Sequence, residues 1–202
     1  MIDHILLDVI AALREAFEDA LLEQQAVEER FQIDVFLGDV AFETSYSLPG
    51  EGSPPRVRAD LSLDWPTWSQ SAYRSWSIGE PPAEPPELIV EIALRVQRLA
   101  GAPDPALVLA VLSDEGPEFG SERLERSGPM VEQLYDPASS TPACAIEIAY
   151  QGSVRLEEPV LDDPSKLDGQ VAGLARWVAS ALVHLADLDL VFLPPDEDSH
   201  PA

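Results

Sequence analysis

Cysteine, lysine and asparagine are scarce in this chain of 202 residues, which has one Cys, one Lys and no Asn. Because a disulfide needs two cysteines, Cys144 cannot form one within the chain. Its position on the apolar face of a predicted strand favours a buried, inert thiol over a nucleophile. The histidines, at positions 4, 184 and 200, are too widely scattered for a zinc site with short ligand spacing. The sequence therefore predicts no metal and no cofactor.

Long apolar runs are also missing. No stretch reaches the roughly 18 apolar residues that a membrane-spanning helix needs. The N-terminus, M-I-D-H-I-L-L-D, has no basic region before its apolar residues, which a secretory signal peptide would have. We therefore expect a cytoplasmic protein without membrane association.

Positive charge is scarce, since 12 Lys and Arg residues stand against 37 Asp and Glu residues, for a formal net charge of −25. Proteins that bind nucleic-acid phosphates without sequence specificity need clustered basic residues, so the sequence excludes this class of nucleic-acid-binding protein. Anionic membrane surfaces would repel the chain. A GC-rich genome explains the replacement of Lys by Arg, and a salt-rich cytoplasm or a DNA-mimicking surface are alternatives. A basic protein partner, or a conduit to which DNA must not adhere, fits the charge better.

Strict alternation of apolar and polar residues marks two strands with one buried face each. They are R-V-R-A-D-L-S-L-D-W at 56–65 and the stretch that begins A-C-A-I-E-I-A-Y at 143. Weaker alternation predicts strands around 31–35 and 40–46. Residues 123–126 and 130–135 predict two short strands, or one strand that is broken at Gly128-Pro129.

Three segments have the apolar spacing of amphipathic helices. They are residues 2–29, residues 87–100 and residues 165–187. The predicted fold class is therefore α+β, a mostly antiparallel twisted sheet with a long N-terminal helix, a central helix on one face and a C-terminal helical extension. For residues 106–112, length does not decide between helix and strand.

The composition also predicts a division of the chain. Residues 1–156 form an α+β core domain, with a flexible hairpin arm at the Pro- and Gly-rich segment 48–55. Residues 157–195 hold an acidic linker, the C-terminal helix and a short apolar run. Residues 196–202 are expected to be a disordered tail.

Aromatic residues cluster in W-P-T-W-S-Q-S-A-Y-R-S-W at 65–76, which contains three of the four tryptophans. Trp and Tyr are favoured at protein interfaces, so the candidate interface residues are Trp65, Trp68, Tyr73 and Trp76. Two alternatives remain open, namely that these residues fill the edge of the core or that they stack against a sugar.

The sequence motifs of common catalytic sites are missing. The chain has no P-loop, no glycine fingerprint of dinucleotide binding after a strand, and no nucleophile elbow. Asp60 and Asp64 share the polar face of one predicted strand, but 37 acidic residues produce such pairs by chance. We therefore predict that the protein is not an enzyme. A hydrolase with an unrecognised acidic site at these two residues is an alternative.

The order of the predicted elements resembles that of phage tail-terminator (tail-completion) proteins and of end-cap proteins of contractile injection systems. The resemblance covers roughly residues 1–156, and the helix at 165–187 is additional to it. The segments that carry it are M-I-D-H-I-L-L-D-V-I-A-A-L-R-E, P-R-V-R-A-D-L-S-L-D-W, E-L-I-V-E-I-A-L-R-V-Q-R-L, R-L-E-R-S-G-P-M-V-E-Q-L-Y-D and A-C-A-I-E-I-A-Y.

This resemblance implies a structural protein that forms a ring, commonly a hexamer, at the end of a tail tube or sheath. Its partners would be tube, sheath or connector proteins in a phage-like particle, and the family has no catalytic residues to carry over. The alternative function is a small acidic adaptor or secretion chaperone that binds a basic or unfolded protein client.

Overall fold

The computed structural model describes residues 11–12, 14–15, 18–19, 27–36, 39–120, 122–134 and 142–195. Within these ranges the fold is α+β and is dominated by one antiparallel sheet. The strands are β1 (Val27–Phe36), β2 (Asp39–Ser47), β3 (Val57–Trp65), β4 (Glu87–Leu99), β5 (Glu118–Phe119), β6 (Glu122–Arg123), β7 (Glu125–Arg126), β8 (Met130–Leu134) and β9 (Ala143–Arg155). The helices are α1 (Thr67–Ser77), α2 (Pro105–Val111), α3 (Glu158–Asp162) and α4 (Asp168–Ala186), with a 3₁₀ turn at Pro164–Leu167.

The main sheet runs in the order β1–β2–β3–β4–β9, and each described pair in it is antiparallel. Beyond β9, the short strands β7 and β8 pair with successive parts of the same strand. Gly128 and Pro129 lie between them, where the sequence predicts a break. Strands β5 and β6 form a separate small hairpin.

One face of the main sheet is buried under α4. On β3 every second residue, from Val57 to Trp65, is buried, as the alternation predicts. Helix α4 packs on this face with a stripe of buried residues at helical spacing, which is what its amphipathic sequence predicts. The buried residues of α4 are Val171, Leu174, Ala175, Val178, Ala179, Ala181, Leu182 and Leu185. They belong to the same buried cluster as the sheet, so this helix is the second layer of the core and not an extension of it.

The prediction of a central helix at 87–100 is wrong, because Glu87–Leu99 is the long inner strand β4. Leu88, Val90, Ile92, Leu94 and Val96 alternate along this strand and are all buried. The segment also has β3 on one side and β9 on the other, and a central strand between two neighbours satisfies its backbone groups by pairing. The apolar residues therefore fit a period of two better than a period of 3.6.

The prediction of a long N-terminal helix is also wrong, since the long helix of the described chain is α4, near the C-terminus. Val27–Glu29, which the prediction placed at the end of the N-terminal helix, begin strand β1. A few described residues of the segment are helical, namely Ala11, Ala12, Arg14, Glu15, Glu18 and Asp19. The remainder of 2–26, and the predicted tail at 196–202, lie outside the described residues.

Segment 48–55, predicted as a flexible arm, is held against the end of β4 by Arg98. This arginine is only 9% exposed and has a positive φ of 60°. Its Nη1 donates to the carbonyl oxygens of Glu51 and Pro54, both at 2.8 Å. Its Nη2 and Nε donate to the carbonyl oxygen of Leu193, at 2.8 and 3.2 Å. The guanidinium thus joins the segment to the C-terminal residues.

We expect Arg98→Met to lower the free energy of unfolding by about 2–4 kcal/mol, because three buried or part-buried carbonyl oxygens lose a charged donor. The loss is measured by urea denaturation, and limited proteolysis should show faster cleavage within 48–55. Arg155→Met is the matched control, since it removes an exposed ion pair with Glu87 and should cost less than about 1 kcal/mol. Equal losses in the two variants would contradict this role for Arg98.

Candidate functional site

The aromatic cluster predicted as an interface lies on α1 and on the end of β3. Trp65 is fully buried, and its ring meets the edge of Tyr73 at a centroid distance of 5.7 Å. Tyr73 stacks on Trp76 at 5.8 Å, with both rings half-buried against the core. Trp68, by contrast, is 45% exposed. The structure therefore places Trp65 in the core and leaves Trp68 as the most exposed member of the cluster.

Helix α1 is fixed to the sheet by side chains at its first turn. Its N-cap residue, Pro66, contributes no side-chain hydrogen bond. The carboxylate of Asp39, at the start of β2, accepts from the backbone N–H and the hydroxyl of Thr67 at 2.5 and 2.7 Å. Ser69 both donates to and accepts from the backbone of Glu87, at 2.6 and 2.7 Å. Trp68, Tyr73 and Trp76 thus lie on a helix that hydrogen bonds attach to the sheet.

The hydrogen bonds from Thr67 hold the pKa of the Asp39 carboxyl below its usual range. A carboxyl whose pKa is lower in the folded state stabilises that state above its unfolded pKa of about 3.9. This contribution is lost as the pH falls through the lowered pKa, so acid weakens the attachment of α1.

Asp60 and Asp64, the candidate catalytic carboxylates, lie on the second face of the sheet, which is the face opposite α4. Asp60 accepts from the hydroxyl of Ser45 at 2.5 Å and forms an ion pair with Arg58 at 2.8 Å. Asp64 accepts from the hydroxyl of Ser62 at 3.2 Å. Among the described residues, no group of three or more His, Cys, Asp or Glu side chains could hold a metal ion. Cys144 is buried in the core.

A cleft of about 700 Å³ lies between α4 and the β5–β6 hairpin. Arg123 lines it, and its guanidinium forms ion pairs with Glu115 and Glu118. Trp177 forms another wall and meets Tyr150 edge-on at 4.8 Å. The positive charge in this cleft is thus balanced by the protein's own carboxylates.

A second candidate surface, which sequence reasoning missed, is the edge strand β8. Among the described residues the exposed large hydrophobic side chains are Trp68, Ile78, Ile89, Leu107, Met130, Val131, Leu134 and Val191. Three of these eight fall within the five residues of β8, where Met130 is 48% exposed and Val131 and Leu134 are each 44% exposed. The apolar pattern M-V-E-Q-L predicts a strand, but its place at the edge of the sheet depends on pairing that the sequence does not display.

Beside this edge, Arg95 joins three strands through ion pairs. From β4, its Nη2 reaches Glu132 on β8 at 2.6 Å, and its Nη1 reaches Glu147 on β9 at 3.1 Å. Burial of the guanidinium opposes its charge, but the hydrogen bonds with the two carboxylates raise the pKa of Arg95 above its usual value. Arg95 therefore partly neutralises the charges of Glu132 on β8 and Glu147 on β9.

No protein-family model matches the chain, and neither the curated proteins nor the solved structures include a match to it. In the part of the chain that the structure describes, every helix is too short or too polar to cross a bilayer.

We expect Trp65→Ala and Trp68→Ala to separate core packing from interface contact. Truncating the buried Trp65 should lower the free energy of unfolding by about 3–5 kcal/mol, since it leaves a large cavity. Truncating Trp68 should cost less than about 1 kcal/mol and weaken self-association. Thermal melts and sedimentation velocity measure the two effects. A Trp68→Ala protein that melts much lower but associates normally would show that this residue belongs to the core.

Proposed function

We propose that this protein is a structural assembly subunit that performs no catalysis. In this proposal it forms a ring that caps the end of a phage-like tail or of a contractile injection tube. The observation that carries the proposal is the exposed apolar edge strand β8, at the side of a sheet that has one face buried under α4.

An exposed apolar edge strand is a liability for a protein that works as a monomer. Such an edge presents unpaired backbone groups and apolar side chains together, and it invites another chain to pair with it. Proteins usually protect their edges with charge, proline or a covering segment. Retaining Met130, Val131 and Leu134 on such an edge is understandable where a partner covers them in the assembled state.

The high negative charge has two opposite effects on such a ring. Repeated contacts between unlike surfaces of identical copies close into rings when the rotation between copies allows it. A negative lumen would let DNA pass without adhering, because like charges repel. The same charge of −25 on every copy opposes assembly, and salt screens this repulsion over about 8 Å under physiological conditions.

The element order that suggested the tail-terminator resemblance is only partly retained. Segment 87–99 is a strand where the resemblance has a helix. The support for the ring therefore comes from the edge of the sheet more than from the order of helices and strands.

An acidic adaptor or secretion chaperone is the second candidate. It is favoured by the face of the sheet opposite α4, where the carboxylates of Asp64 on β3 and Glu91 on β4 lie on the same side. A basic client would complement these carboxylates. This candidate predicts a monomer or dimer that gains a basic partner, whereas the cap predicts a larger homo-oligomer.

We expect the purified full chain to form one oligomer of defined size, larger than a dimer, with ring-shaped class averages in electron micrographs. Light scattering across concentration gives its mass. Raising the salt from about 0.05 M to about 0.5 M should tighten the assembly, because it screens the repulsion between acidic copies. Dissociation on addition of salt, or a monomer at every concentration, would contradict the proposal.

A further inference from the structure

We infer that β8 is the strand through which one copy docks on a second copy of this chain. Arg95 is the positioning residue, because it reduces the repulsion between the two copies at this edge. This inference rests on the proposed function, because it names the surface through which the ring would assemble. Three features support it: the apolar side chains of β8, the ion pairs of Arg95 with Glu132 and Glu147, and the net charge of the chain.

Both faces of β8 contribute apolar surface to the edge. Val131 lies opposite Ile146 of β9, in line with the buried face of the sheet. Met130 and Leu134 lie opposite Glu147 and Ala143, on the second face. A strand added along this edge would therefore cover apolar side chains above and below the sheet while it satisfies the outward backbone groups of β8.

Strand β9 lies between β4 and β8, so the Arg95 side chain has to cross it at a small residue. Arg95 pairs with Glu147 in the β4–β9 register, and Glu132 pairs with Ala145 in the β9–β8 register. The guanidinium must therefore pass beside Ala145 to reach Glu132, and Ala145 is only 1% exposed. Because alanine has a single methyl group, it leaves room for this crossing.

The charge on the chain explains why the edge needs this arginine. With a net charge of −25, any two surfaces of two copies tend to repel each other. At the middle of β8, the guanidinium of Arg95 lies between the carboxylates of Glu132 and Glu147, so the cluster carries one net negative charge in place of two. The exposed apolar strand thus coincides with a place where the repulsion is reduced.

The carboxylate of Glu132 indicates which edge of a second copy β8 would pair with. If β8 paired with itself about a two-fold axis centred on the strand, Glu132 would face Glu132 of the other copy. Like charges directly opposite one another destabilise a strand pair. Pairing with a different edge avoids this contact, and strand β1 forms the opposite end of the same sheet. Head-to-tail pairing of β8 with β1 would continue the sheet from copy to copy, as a ring requires.

The first test is the double variant Val131→Lys and Leu134→Lys, compared with Leu107→Lys and Val191→Lys. Both pairs replace two exposed apolar residues and add the same positive charge. Extra positive charge alone should strengthen assembly of an acidic chain, so charge cannot explain a loss. We expect the β8 pair to weaken association of the full chain about tenfold or more, and the control pair to associate at least as tightly as the unmodified chain.

The second test removes the positive charge of Arg95. Arg95→Gln leaves Glu132 and Glu147 unpaired and should weaken association, whereas Arg155→Gln makes the same change in net charge at a distant pair and should not. Adding Glu132→Gln to Arg95→Gln should restore association, because the repelling carboxylate is then gone. A merely structural role for Arg95 would show as a lower melting temperature without this restoration.

Sedimentation velocity of each full-length variant gives the association constant, and thermal melts verify folding. Unchanged association of the Val131→Lys, Leu134→Lys variant would overturn the inference, even if Arg95→Gln failed to fold. A ring that persists in that variant would leave the proposed function standing with its interface elsewhere. A monomeric unmodified chain would end both.

Discussion

Burial of one face of a single antiparallel sheet under helix α4 is the constraint on which the other features depend. Because side chains alternate between the two faces of a strand, burying every second residue from Val57 to Trp65 on β3 and from Leu88 to Val96 on β4 fixes the register of these strands. The opposite face must then carry the polar residues, among them Asp60 and Arg95. At the β8 edge of the sheet, Met130, Val131 and Leu134 remain accessible.

Part of this fold can be predicted from local pattern alone. The sequence predicts strands β3 and β9 and helix α4, because each has a clear period of two or of about 3.6. It does not predict strand β4, because the apolar residues of 87–100 fit both periods over this short length. Only the pairing with β3 and β9 decides between them, and pairing is a long-range property.

The candidate site was predictable to a smaller degree. The alternation of β3 already places Trp65 on the buried face, but the sequence does not show that Trp68 is exposed, because this depends on how α1 packs. The exposure of β8 depends on which strand ends the sheet, and the contact of Arg95 with Glu132 joins residues 37 positions apart. Likewise, the attachment of segment 48–55 depends on Arg98 and on the distant Leu193.

The central claim is that this chain acts through surfaces that repeat between identical copies. The most direct measurement is the number of copies in the particle that the full-length protein forms, obtained by native mass spectrometry over a range of protein concentrations. The account predicts one closed species with more than two copies. A single subunit at every concentration, in a preparation that remains folded, would contradict it.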